Sequence, residues 1–341
     1  MNSQSKTIID IAKELGISVS TVSRAIRDTY DVKKETREKV LEMAKKLNYK
    51  PNFNAIGLVN GKSHNIGILL PLVTNYYFST VITGIQKVAY ENGYNIVLFI
   101  TNDSKETEIS IIKNISFSNI DGFLVSLSSS PDDMCFYEEV INRGKPIVFF
   151  DRVPENFKTS KVMQDDYGGA FEAVEHLIKQ GYKKIAHISG NRGLNLTENR
   201  FRGYTNALKK YDIPVNQQFL IFSGFSQQCG YDDTKRLLKL KNKPDAIFAV
   251  NDRKAIGAML AVRKKKIMIG RDFGIVGFTN DPLGTLVTPS LSTVEESAFD
   301  IGRISCRLLL KHINKKNFQP EDIVLPSKLI VRQSTLRTQK R

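Results

Sequence analysis

The residues best placed to do chemistry lie within the first thirty. Thr7 is a candidate N-cap for a helix that sets Ile8, Ile11, Ala12 and Leu15 at i, i+3, i+4 and i+7. Gly16 suits the left-handed residue that ends such a helix, and Ser18 caps a second one over 19–26 after a turn of only a few residues. Ala12 is small where two helices would cross, Gly16 permits the sharp turn, and Val22 faces back into the core. That trio is the steric requirement of a helix-turn-helix. Val19, Ser20, Ser23, Arg24 and Arg27 share the opposite face, free to enter a DNA major groove. A third helix, 34–47, closes the bundle with Val40, Met43, Ala44 and Leu47. The same spacing also fits a generic three-helix bundle with a solvated basic face.

A second set of candidates follows from the elements that must carry it. Near residue 62 the pattern changes to apolar runs alternating with amphipathic stretches. Strands are expected at 66–70, 96–100, 122–125 and 146–150, then at 184–188, 219–222, 246–250 and 273–277. Helix-length segments, 79–92, 167–180, 199–211 and 254–265, lie between them, and a last helix at 296–313 precedes two short strands, 323–325 and 328–331. Strand alternating with helix predicts right-handed βαβ units in two doubly wound parallel-sheet lobes. The basic end, from Thr335, reads as a frayed tail.

Ligands bind beyond the carboxyl ends of strands in such sheets. Those ends lead into Asn75, Tyr76, Tyr77 and Phe78, into Asp151 and Arg152, and then into Phe225, Asn251-Asp252 and Thr279-Asn280-Asp281. Aromatic faces beside amides, carboxylates and guanidinium suit a polyhydroxylated ligand. Each Asn or Asp in such a place also reads as an ordinary turn residue or helix cap.

An excess of 50 Lys+Arg over 35 Asp+Glu gives a formal charge of +15, which favours a polyanionic partner without naming one. Cys135, Cys229 and Cys306 are too far apart for a disulfide framework or a metal knuckle. No apolar signal core and no run of 18 apolar residues occurs, so a cytoplasmic protein with no membrane partner is expected. The four histidines are scattered, and no phosphate-binding loop, zinc-protease motif or nucleophile elbow is present. The expectation is of a binding protein, not an enzyme, without metal or cofactor. A solute-binding protein and an effector-independent DNA architectural protein remain as rivals.

The head segment is similar to that of the lactose/galactose repressor (LacI/GalR) family. The resemblance is carried by Val19-Ser20-Thr21-Val22-Ser23-Arg24, by Thr36-Arg37-Glu38-Lys39-Val40 and by Asn48-Tyr49-Lys50-Pro51-Asn52. It continues through Phe149-Phe150-Asp151-Arg152, Arg200-Phe201-Arg202-Gly203-Tyr204 and Val250-Asn251-Asp252 to Pro289-Ser290-Leu291-Ser292-Thr293-Val294. It implies a regulator, a repressor by expectation, that binds double-stranded operator DNA as a homodimer under control of a carbohydrate-like effector. Val19 and Ser20 would select bases and Arg24 add a base-edge contact, while Thr7, Ser18, Thr21 and Ser23 hold phosphates.

The resemblance also makes 51–62 a hinge helix that orders on the operator, with Asn52, Ala55 and Leu58 among its DNA contacts and Leu58 as a wedge between base steps. Gly57 weakens such a helix, and a plain flexible linker is the other reading. The implied organisation is a helix-turn-helix domain at 1–50, the hinge, and an effector-binding and dimerisation domain at 63–341 of the periplasmic-binding-protein type I fold. Its lobes would comprise 63–161 with 292–325, and 162–291 with 326–336, crossing near 162, 291 and 326. Asn75, Tyr76, Phe78, Asp151, Arg200, Phe225, Asn251 and Asn280 are the expected effector contacts. Many relatives carry aspartate in the last position, and Asn280 lacks that charge.

Overall fold

Two units appear in the computed structural model, residues 1–63 and 64–341. It describes residues 6–26, 32–49, 62–115, 119–128, 134–315 and 319–337. In the first unit, α1 (Ile8–Leu15), α2 (Val19–Ile26) and α3 (Lys34–Lys46) enclose Ile11, Ala12, Val22, Ala25 and Val40. Met43, Ala44 and Leu47 are only partly buried, so this core is small. Its short helices depend on their ends. The Asp10 carboxylate accepts the Thr7 N–H at 2.7 Å, Gly16 turns the chain at φ 63°, and the Ser18 hydroxyl accepts the Thr21 N–H at 3.1 Å.

The second unit is built on two six-stranded sheets. The first lobe takes β1 (Asn65–Leu70), α4 (Tyr76–Glu91), β2 (Asn95–Ile100), α5 (Lys105–Asn114), β3 (Gly122–Val125), α6 (Cys135–Asn142), β4 (Ile147–Phe150) and β5 (Lys161–Gln164). The chain then crosses into α7 (Asp166–Lys179), β6 (Ile185–Ser189), α8 (Asn195–Lys210), β7 (Leu220–Phe222) and α9 (Gln227–Leu237). It continues through β8 (Ala246–Ala249), α10 (Asp252–Lys264), β9 (Gly274–Thr279), the short α11 (Leu283–Leu286) and β10 (Ser292–Glu295). It returns as α12 (Ala298–Asn314) and β11 (Asp322–Leu325), and crosses last into β12 (Lys328–Ile330).

The sheet orders are β11-β5-β4-β3-β1-β2 and β12-β10-β9-β8-β6-β7. All neighbours pair in parallel except β12, antiparallel to β10. Strands buried on both faces read as continuous apolar runs, as in β3 and β4, and this made them visible in the sequence.

Two expectations need correction. β5 pairs within the first sheet and β10 within the second, so the crossings fall at 164–166, 295–298 and 325–328, not at 162 and 291. The final two strands complete different sheets. The segment from Thr335 is anchored rather than frayed: Thr335 is buried against His176 and Ser292, at 2.8 and 2.7 Å, and the Arg337 guanidinium lies 4.8 Å from the Tyr182 ring centre. Residues 338–341 lie outside the described ones.

Within the first lobe, α12 crosses α4 at a pair of glycines. A Cβ on Gly84 would stand 2.2 Å from the Phe299 carbonyl oxygen, and one on Gly302 2.1 Å from that of Val81. Backbone meets backbone there, and no side chain can yield. Gly302→Val is therefore expected to cost about 1–3 kcal/mol or more, read as a lower urea midpoint. An unchanged midpoint would mean that these helices do not meet as described.

Candidate functional site

On the head, Ser18, Val19, Ser20 and Arg24 are exposed, while Thr21 and Ser23 are partly so. Val19 is 40% exposed, an apolar side chain with no fold-stabilising duty on its solvent face. The hydroxyls of Ser20 and Thr21 each lie 2.8 Å from that of Ser18, a polar cluster at the first turn of α2. Hydroxyls and helix N–H groups in one place suit a phosphate oxygen. Thr7 is exposed and belongs to the α1 cap, where its two hydrogen bonds hold Asp10 below the usual carboxylate range. Asn52, Ala55 and Leu58, with the whole expected hinge helix, lie outside the described residues.

Between the lobes of the second unit lies a cavity of about 420 Å³, ample for a small ligand. Asn75, Phe78, Asp151, Arg200, Phe225 and Asn251 all line it. Two expected residues do not. Tyr76 is 44% exposed at the first turn of α4, and its neighbour Tyr77 enters the cavity instead. One residue along a helix is a rotation of about 100°, enough to exchange the two rings. Asn280 gives its amide N–H to Glu295 at 2.9 Å and accepts from Arg332 at 2.7 Å, leaving Thr279 on the wall. A second cavity, about 540 Å³, lies beyond Asn195 between Glu138 and Phe157 on one side and Leu194 and Glu198 on the other, and none of the expected residues lines it.

Asn75 and Asn251 prove to be helix caps as well as wall residues. Their side-chain oxygens accept from Phe78 N and Lys254 N, both at 2.8 Å. The remaining amide of Asn251 donates to the Phe225 carbonyl at 3.1 Å and so fixes that aromatic. Across the cleft, the Arg152 guanidinium lies 4.9 Å from the Phe225 ring centre and is itself held by Asp103 and by the Leu127 and Ser128 carbonyls. Asn195 of the second lobe accepts from Val153 N at 3.0 Å and donates to the Asp151 carbonyl at 3.4 Å, joining the rims. Asp151 itself adopts the left-handed φ of 61°, a conformation that Asp tolerates better than most side chains.

Arg200 forms the floor and is only 4% exposed. Its Nε donates to Asp166 at 2.7 Å, one terminal nitrogen donates to the Val250 carbonyl at 2.6 Å, and the other reaches both Asp166 and Glu296. One face of the guanidinium lies 3.6 Å from the Phe278 ring centre. Most of its donors are thus committed within the protein.

Asp166 and Glu296 lie in the first two crossings. Gln164 ties all three: its side chain accepts from Ser297 N at 3.0 Å and donates to the Pro326 carbonyl at 2.7 Å and the Ser327 hydroxyl at 3.1 Å. Sequence reading placed Tyr77 beside the cleft without counting it among the effector contacts, and it missed Asp166 and Glu296. The acids follow strands too short and polar to stand out, KVMQ and STVE.

Three carboxyls, Asp151, Asp166 and Glu296, therefore surround one guanidinium. Burial pushes Glu296 up to about 8, with Arg200 opposing and Asp166 adding to the rise. Burial likewise lifts Asp166 to about 6 against the pull of Arg200, and raises Asp151 against Arg152 and Arg200. Arg200 is held above its ordinary value: burial opposes its charge, and Asp166 and Glu296 more than restore it. These acids hold protons to higher pH folded than unfolded. The stability they confer is complete below about pH 4 and is lost as pH climbs through 6 to 8. The urea midpoint should fall between pH 6.5 and 8.5, and Glu296→Gln should flatten that fall; equal slopes would contradict a proton held on the cleft floor.

The family model described as "Bacterial regulatory proteins, lacI family" matches residues 7–52, and that of the "Periplasmic binding protein-like domain" matches 174–335. The ribose operon repressor of Halalkalibacterium halodurans is 35% identical over 330 residues, 96% of this chain and 97% of its own. A LacI family transcriptional regulator from Enterococcus faecium, solved with bound ribose, is 28% identical with a TM-score of 0.71 over 81% of this chain and 100% of that one. The lac repressor dimer bound to operator and an anti-inducer shares the fold, at 24% identity and a TM-score of 0.86 over 98% of this chain and 100% of that one. With head and two-lobed body both matched along nearly the whole length, the chain belongs to the LacI family of bacterial regulatory proteins.

Proposed function

We propose that this protein is a transcriptional repressor that reads operator DNA through α2 as a homodimer and releases or holds it according to a carbohydrate in the interlobe cavity. The observation that carries this reading is the joint presence, in one chain, of an exposed Val19-Ser20-Arg24 face and a polar cavity walled by Phe225. The ribose in the Enterococcus structure and the operon named for the Halalkalibacterium repressor support a sugar. A protein with this task works in the cytoplasm and performs no chemistry on its ligand.

A homodimer presents two α2 helices to a two-fold site, so that each half-site is read twice. Apolar side chains left in solvent on the body, among them Tyr76, Tyr90, Leu98 and Phe299, suit burial against a second copy. Lobe closure on a ligand biases residues 51–62, which carry the proposed wedge Leu58. A coupling of about 1–3 kcal/mol suffices for a 5- to 150-fold change in operator affinity.

Two outcomes test this. Exchanging Val19 and Ser20 should alter which half-site base pairs are preferred, by about 1–3 kcal/mol for each mismatched pair, in anisotropy titrations against selected DNA. Binding indifferent to both sequence and these substitutions would reduce the head to a basic bundle. Separately, a sugar that raises the thermal midpoint should shift operator affinity of the full chain. If it binds without any such shift, the regulatory reading fails.

A further inference from the structure

Reading an operator through α2 does not account for where this chain keeps its charge. Residues 1–62 hold 12 Lys and Arg against 7 Asp and Glu, a net +5, which leaves +10 of the +15 for the rest of the chain. Two short stretches supply most of it. Residues 235–243 carry five cations and 263–266 are four in a row, with no acid in either.

The fold gathers these stretches at one pole of the second lobe. α9 and α10 both start at the cleft, since their caps Ser226 and Asn251 line the cavity. They run side by side from there: a Cβ on Gly230 would stand 2.2 Å from the Lys254 carbonyl oxygen, and one on Gly257 2.0 Å from that of Gln227. Their last turns therefore emerge together, about 15–20 Å along the helices from the cavity, at the edge where β6, β8 and β9 begin. At that edge Lys184 Nζ donates to Asn242 at 2.6 Å, and the Tyr182 hydroxyl donates to the Gly270 carbonyl at 2.6 Å. Lys183, Lys184 and Arg271 thus join the same surface.

Basic residues suit helix ends, because they offset the partial negative charge of the last carbonyls. That accounts for Lys235 and Arg236 on α9 and for Arg263 and Lys264 on α10. It does not account for Lys239, Lys241, Lys243 and Lys266, which lie beyond the helices. All nine cations of the two stretches are exposed, and none makes an ion pair among the described residues. The acids at hand are already engaged. Asp245 accepts from the backbone N–H groups of Lys183 and Lys184, at 3.1 and 2.8 Å, and Asp272 pairs with Arg271 at 2.8 Å.

Crowded like charges repel one another, and a polyanion relieves that repulsion. Long lysine side chains on a convex end act as separate point charges, suited to a row of phosphates rather than to one enclosed anion. A lipid surface would find little to bury, since Met268 is the one large apolar side chain exposed within 235–243 and 263–272. We propose that this pole is a second DNA-binding surface, which grips duplex phosphates without regard to sequence. A repressor already holding its operator can then hold another stretch of duplex at the same time.

The full-length protein tests this after saturation with a short duplex selected for tight binding from random sequence. A fluorescent duplex of unrelated sequence is then added, and complexes carrying both duplexes are counted by two-colour coincidence. The parent should capture the second duplex, with an affinity that falls about 10³-fold between 50 and 200 mM salt if about six phosphates are neutralised. Changing Lys239, Lys241, Lys243, Lys264, Lys265 and Lys266 together to Gln should weaken capture at least tenfold and leave affinity for the selected duplex unchanged. If that variant fails to fold, Lys264→Gln, Lys265→Gln and Lys266→Gln alone should weaken capture to a smaller degree. No capture by the saturated parent, or equal capture by the folded variant, would overturn the proposal. So would a pole that binds phosphatidylserine–phosphatidylcholine vesicles in preference to the unrelated duplex, since that assigns it to a membrane.

Discussion

A guanidinium almost out of contact with water must be matched by carboxylates, because an unpaired buried charge costs several kcal/mol. In this protein that demand is met at Arg200, and the partners that meet it are not on neighbouring turns of one helix. Asp166 stands where the chain first leaves the first lobe, and Glu296 where it comes back. Gln164 then binds backbone or hydroxyl groups of the second and third crossings. Of the groups that fix how the two lobes join, Arg200 and Glu296 also line the cavity between them. A change in the charge or contacts of the floor is felt at the joint without any intermediate element.

How far this was legible in the sequence depends on what each residue must satisfy. Long apolar runs such as IVFF at β4 announce themselves because both faces of a parallel strand are buried. The turn of the head was equally plain, since Gly16 and Ala12 answer local steric needs. β5 and β10 were hidden because strands at a lobe crossing carry polar residues that bond to other crossings. Of the adjacent Tyr76 and Tyr77, the sequence could not show which ring enters the cavity, because the angular phase of a helix is set by tertiary packing and not by the distance from the preceding strand. Arg200 was found, but a sequence displays its five donors and not the acceptors that have taken most of them. The same limit applies to Asn280, whose amide is spent on Glu295 and Arg332.

The two units follow opposite physical strategies. Among the described residues, the head gathers five buried side chains over short helices and leans on Thr7, Gly16 and Ser18 to satisfy its helix ends. Such a core contributes little stability, as expected of so small a unit. What it gains is a face of short side chains close to the backbone, able to approach a groove. The body instead buries two large clusters in each lobe, with glycine pairs that bring helix backbones into contact. At the crossings between the lobes, hydrogen bonds and ion pairs, rather than packed methyl groups, set the geometry.

That choice of hinge chemistry has a consequence for switching. An apolar joint of equal volume would be at least as stable, since removing a buried ion group in favour of well-packed side chains is often neutral or favourable. It would also be indifferent to what occupies the cleft. A joint made of carboxyls and one guanidinium has a free energy that depends on solvation, and Asp151, Arg200 and Glu296 of this joint also line the cavity. Any ligand-driven shift requires contacts that differ between two states. Groups that both line a cavity and join the lobes around it are where a contact made in the cavity acts directly on the joint.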